Sequence, residues 1–93
     1  SLATSYVNIA GVYDDLEEYS QALHFYNKAL HIFEATLPNN HPKLATSYTN
    51  IGLVYNHLGD YNQALTFYRR AIDIREKTVP INYPDLALSY NSI

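Results

Sequence analysis

The residues with the most chemistry to offer are four histidines, a run of carboxylates and a pair of asparagines. His24 and His31 stand seven positions apart. On a helix this puts them on one face but about 10 Å apart, at roughly 1.5 Å of rise per residue, too far to share a metal ion. They read as a surface pair. Asp14-Asp15 and Glu17-Glu18 resemble paired carboxylates, yet no base accompanies them, and a solvated turn is the expectation. His57 is open to either a ligand contact or plain solvation. His41, directly before Pro42, suits a loop or a cap. Arg69-Arg70 share one helical turn and read as a solvated or salt-bridged face. No Ser-His-Asp or Cys-His set has a workable arrangement. Neither an enzyme, a cofactor nor a metal site is expected. The chemistry that remains is recognition. Asn8 and Asn50 each carry a carbonyl acceptor and an amide donor. Such a side chain can pair with the backbone of an extended peptide, or with a neighbouring helix or water.

Composition narrows the setting. The chain has 93 residues, 47% of them hydrophobic, which suits one modest domain with a packed core. It has no apolar run long enough for a membrane span and no signal-peptide pattern. Cysteine is absent, so neither disulfides nor thiolate zinc sites are available, and a cytoplasmic location is expected. A net charge of -3 argues against nucleic acid or an anionic membrane as partner.

These residues belong to a sequence written twice. Leu2-Ala3-Thr4-Ser5-Tyr6 returns 42 positions later as Leu44-Ala45-Thr46-Ser47-Tyr48. Asn8-Ile9, Val12-Tyr13, Gln21-Ala22-Leu23, Phe25-Tyr26, Ala29, Ile32, Glu34, Pro38 and Pro42 recur at the same offset. Agreement on this scale is an internal repeat. The expected organisation is one domain, 1–93. Its first repeat covers about 1–42, its second about 43–84, and a third copy opens at 85–93. Charge separates the copies. The first holds five carboxylates against Lys28, whereas the second holds five cations against Asp60, Asp73 and Glu76.

Helices must position all of this. Ala45, Tyr48, Ile51, Tyr55 and Leu58, with Gly52 beside them, have helical spacing over 44–58. Over 61–78, Tyr61, Ala64, Leu65, Tyr68, Ala71 and Ile72 form one stripe, and Phe67 with Ile74 a second. Residues 2–16 and 19–36 repeat the design. Each repeat is thus a helix A, a turn and a longer helix B. Gly59 suits the left-handed end of helix A, while Glu17 in its place predicts strain or a changed turn. Pro42 and Pro84 suit the first turn of the next helix A, with Asn40 and Asn82 offered as loop or capping residues. Eight of the ten tyrosines fall at packing positions: Tyr6, Tyr13, Tyr19, Tyr26 and their copies Tyr48, Tyr55, Tyr61 and Tyr68.

Tyr48-x2-Ile51-Gly52-x2-Tyr55 followed by Ala64-x3-Tyr68 resembles the tetratricopeptide pattern W-x2-L-G-x2-Y…A-x3-F. Tyr6, Ile9, Tyr13, Ala22 and Tyr26 match in the first copy, with Ala10 in place of glycine. The period exceeds the usual value of about 34 by roughly two helical turns. That longer form, with Asn40-His41-Pro42 leading into helix A, is similar to the kinesin light chain type. The resemblance implies an all-α fold of antiparallel helix hairpins stacked in a right-handed α-solenoid. It also implies a scaffold that binds a protein or peptide segment in a concave groove of A helices. The groove face would comprise Thr4, Val7, Asn8, Gly11, Asp14 and Asp15 in copy one and Thr46, Thr49, Asn50, Leu53, Asn56 and His57 in copy two, with Asn91 as a further rung. Backbone pairing by Asn8 and Asn50 is carried over from related repeats. This face has no Lys or Arg, so a carboxylate clamp is not expected, and a neutral or basic peptide suits the copy-one end. An alternative of another class is a repeat fragment without a ligand. It would form a homo-oligomer by self-association through uncapped ends, by stacking or by exchange of a terminal helix.

Overall fold

The computed structural model describes residues 1–78, the side chain of Thr78 excepted. They form four helices: α1 (Leu2–Asp15), α2 (Tyr19–Thr36), α3 (Pro42–His57) and α4 (Tyr61–Thr78). The expected third helix A, with Asn82, Pro84 and Asn91, lies outside the described residues. Helix α1 pairs with α2 and α3 with α4, while α2 packs on α3 and joins the two hairpins. This is a helical-repeat solenoid.

Local chemistry sets the helix ends. The Ser1 hydroxyl accepts a hydrogen bond from the Thr4 N–H at 3.3 Å and caps α1. Asp60 Oδ1 accepts from the Gln63 N–H at 3.3 Å at the start of α4. At α3 the cap is His41, not Asn40. Its Nδ1 accepts from the Lys43 N–H at 3.1 Å, with Pro42 in the first turn where no N–H is needed.

The two A-to-B turns share one geometry. The Glu18 N–H reaches the Tyr13 carbonyl at 2.8 Å, and the Asp60 N–H reaches the Tyr55 carbonyl at 2.9 Å. The Glu17 N–H bonds to Asp14 and the Gly59 N–H to Asn56. This paired pattern closes a helix through a left-handed residue. Gly59 has φ 83° and Glu17 φ 62°. The turn therefore keeps its shape in the first repeat, and Glu17 bears the steric cost of its Cβ.

Small residues let the hairpin helices approach. Ala10, Ala22, Ala29, Ala64 and Ala71 are buried. A Cβ on Gly52 would lie 2.8 Å from the Tyr68 ring and 3.3 Å from the Ala64 carbonyl oxygen. Beside this seam each repeat holds an aromatic cluster. Phe25 stacks on Tyr13 at 5.6 Å between ring centres and tilts against Tyr6 at 5.9 Å. Phe67 repeats this on Tyr55 at 5.6 Å and Tyr48 at 6.0 Å.

Burial departs from the expected stripes in a regular way. Leu44 and Val54, outside the expected stripe, are buried on α3. Leu58, expected in the core, caps the helix and is exposed. Tyr61, Leu65 and Ile72 on α4 are exposed as well, although their copies on α2 are covered or half-covered. The cause is position in the array. Helix α3 lies on that face of α2, and among the described residues no helix lies on the same face of α4.

Candidate functional site

The A helices α1 and α3 present the candidate site. Thr4 and Val7 of α1 and Thr46 and Asn50 of α3 line one recess of about 170 Å³. Val7 and Asn50 are half-buried, while Thr4 and Thr46 are exposed. These four are expected groove residues, and the structure brings them together across the two repeats. Three further residues complete the recess: Phe33 of α2, Ser47 and Lys43. Phe33 and Ser47 are buried at its floor. The Lys43 Nζ lies 6.0 Å above the Phe33 ring, within cation–π range.

Lys43 corrects the expectation of a groove face without cations. It stands in the first turn of α3, opposite Ser1 in the repeat register, where helical spacing places no apolar stripe. Phe33 was missed for a related reason. Its repeat counterpart is Arg75, so the copies differ where the groove floor is built.

The threonines are partly committed. Thr46 donates to the Pro42 carbonyl at 3.3 Å and Thr49 to the Ala45 carbonyl at 2.9 Å. Thr4 and Ser1 share a hydroxyl contact at 3.0 Å. With their protons so used, Thr46 and Thr49 can only accept from a ligand. Asn50 has both a donor and an acceptor, which makes it the most versatile group in the recess.

The other expected residues lie away from this recess. Asn8, Asp15, Leu53 and Asn56 are exposed, and Gly11 is half-buried. At the C-terminal ends of α1 and α3, Asp14 meets His57, with Nδ1 3.5 Å from Oδ1. That Asp14 oxygen is buried and has no hydrogen bond. The His57 ring also lies 5.2 Å from Tyr19. His57 thus touches the first repeat while its side chain stays 43% exposed. Burial first, and then the Asp14 and Asp15 carboxylates, raise the Tyr26 phenol above its usual range.

The remaining chemical candidates disperse. His24 meets Phe25 edge-on at 5.1 Å between ring centres. His31 lines a separate recess with Tyr6 and Lys28. Arg70 lies 5.8 Å over the Tyr48 ring. Among the described residues, no three His, Asp or Glu side chains gather as a metal site would require. No described helix is long and apolar enough to cross a membrane.

Two stacked helix hairpins with alanine seams and a shared groove carry the imprint of one family, and its sequence profile, tetratricopeptide repeat, matches residues 1–77. The chain belongs to the tetratricopeptide repeat family. Such repeats generally mediate protein–protein interactions. The fold is similar to the crystal structure of MamA, with a TM-score of 0.68 and 28% sequence identity. The match covers 82% of this chain and 40% of the MamA chain, so the chain spans less than half of MamA's length. No curated protein matches the chain.

Proposed function

We propose that this tetratricopeptide repeat chain is a cytoplasmic scaffold module that holds an extended peptide segment in the groove of its A helices. The observation that carries the reading is the recess in which Thr4, Val7, Thr46 and Asn50 meet across two repeats. Asn50 would pair with the peptide backbone, and Phe33 would take an apolar side chain. The groove is polarised. Lys43 stands at the N-terminal ends of the A helices, and Asp14 and Asp15 stand at the C-terminal ends. A peptide with a cationic group toward Asp15 fits this field, and Lys43 offers an anchor for a carbonyl or carboxylate at the other end. The period of 42 and the Asn40-His41-Pro42 entry support the kinesin light chain-like form within the family.

Amide chemical-shift mapping tests this reading. The ¹⁵N-labelled chain is titrated with lysine-rich, neutral and glutamate-rich dodecapeptides. Shifts confined to Thr4, Val7, Thr46 and Asn50, larger for the lysine-rich and neutral peptides, support it. Shifts clustered on α2 and α4 alone count against it.

A second reading is self-association. It is favoured by apolar side chains exposed at both ends of the described array: Leu2, Ile9 and Val12 on α1 with Leu16 at its C-cap, and Tyr61, Leu65 and Ile72 on α4.

A further inference from the structure

Gly11 and Gly52 both stand inside A helices, and packing explains only one of them. At Gly52 a Cβ would strike the Tyr68 ring at 2.8 Å. At Gly11 it would meet, among the described residues, a single atom within 4 Å beyond the backbone of α1. That atom is the Tyr26 hydroxyl oxygen at 3.9 Å, an ordinary contact. The crossing of α1 and α2 therefore leaves room for a side chain at Gly11. Glycine in a helix interior is destabilising relative to alanine. The second copy carries Leu53 at the same place. Gly11 gives up helix stability with no gain in packing.

The atom that faces Gly11 is itself unsatisfied. Tyr26 is 7% exposed, so its ring belongs to the core. Among the described residues its hydroxyl has no hydrogen-bond partner, although Asp14 and Asp15 are near enough to act on it through charge. A buried hydroxyl ordinarily finds a partner, because leaving the bond unmade is costly. A half-buried glycine and an unpaired donor thus share one spot. That spot continues the groove. Gly11 lies one helical turn beyond Val7, which lines the recess, and one turn before Asp15. Ile9 and Leu16 fall on the opposite side of α1, so the notch at Gly11 is independent of what packs there.

We propose that a bound peptide crosses α1 at Gly11, where its backbone touches the helix and one of its carbonyls accepts a hydrogen bond from the Tyr26 hydroxyl. This rests on the groove reading and adds a second backbone contact to that of Asn50. Without a Cβ, Gly11 lets another backbone come close. A larger side chain there would hold the peptide away from α1 and cover the hydroxyl.

Three variants of the 93-residue chain test it, with the lysine-rich dodecapeptide as probe and affinity read by fluorescence anisotropy. Gly11→Ala should raise the thermal midpoint, because the helix gains a better former and the new Cβ meets no clash. Gly11→Leu, which fills the notch, should bind about tenfold more weakly than wild type. Tyr26→Phe keeps the ring and loses the hydroxyl, and should bind about three- to tenfold more weakly. Wild-type affinity in either Gly11→Leu or Tyr26→Phe, with Asn50→Ala weakened, overturns the contact at Gly11 and keeps the groove reading. A lower midpoint for Gly11→Ala would show that the glycine serves packing, and overturns the contact as well. Failure of the wild type to bind the peptide overturns the groove reading and the contact together.

Discussion

Glu17 shows how a single residue can carry strain without altering the fold around it. Its φ of 62° is the left-handed conformation that Gly59 adopts in the second copy, and the hydrogen bonds of the two turns agree. An L side chain there costs about 1–2 kcal/mol. Glycine gives part of that back as unfolded-state entropy, about 0.4–1 kcal/mol. Glu17→Gly should therefore stabilise the chain by about 0.5–1 kcal/mol in urea denaturation, and Gly59→Glu should destabilise it. Unchanged midpoints in both would refute the strain. The sequence flagged this site through the mismatch between copies, but two outcomes, strain or a new turn, were open to it. The flanking hydrogen bonds decide for strain. Tyr48 is a second residue with a measurable signature. Burial first, then the Glu34 carboxylate that accepts its hydrogen bond, raises the phenol above its ordinary value of 10.0, with Arg70 opposing. The folded state then holds the proton more tightly than the unfolded chain. The associated stability is complete below pH 10.0 and is lost as pH rises through the folded value. Tyr48→Phe should flatten the fall in stability above pH 10.0, as followed by thermal melts in alkaline buffers.

The helices themselves were the most legible part of the chain. Apolar spacing, Gly59 and the prolines place all four within a residue or two of their observed ends, because a helix end is set by local chemistry. Stripe membership was less legible. Tyr61, Leu65 and Ile72 have core spacing on α4 but remain exposed, since burial depends on which neighbour is present and not on the helix's own pattern. His41 outcompeted Asn40 as cap because it is the residue directly before Pro42, where a side-chain acceptor can meet the second helical N–H. The seam between hairpin helices yields the sharpest prediction at this scale. Ala64 is buried, and its carbonyl approaches Gly52 closely. Ala64→Leu should overpack the α3–α4 crossing and cost about 1–3 kcal/mol. For a domain of this size that lowers the thermal midpoint by roughly 4–8 °C per kcal/mol. An unchanged midpoint would mean that α3 and α4 do not meet at Ala64.

At the scale of the whole molecule, repetition makes surfaces that no single copy possesses. The groove recess draws on three helices, and its residues lie as far apart in sequence as Thr4 and Asn50. Half of it was legible, because the A-helix faces could be read from spacing and register. Phe33 and Lys43 were not, since they enter from the end of helix B and the first turn of the next helix A, where the two copies diverge. In the proposed groove reading, Asn50 is the group on which peptide recognition turns. Its amide can serve an extended backbone as donor and acceptor at once, and losing such a pair costs on the order of 1–2 kcal/mol, close to a tenfold change in affinity. The most direct measurement is a comparison of wild type and Asn50→Ala in binding a lysine-rich dodecapeptide, by fluorescence anisotropy with the folded state of both checked by circular dichroism. Binding by the wild type and about tenfold weaker binding by Asn50→Ala is the expected result. Equal affinity of the two folded proteins for the peptide would contradict recognition through this groove.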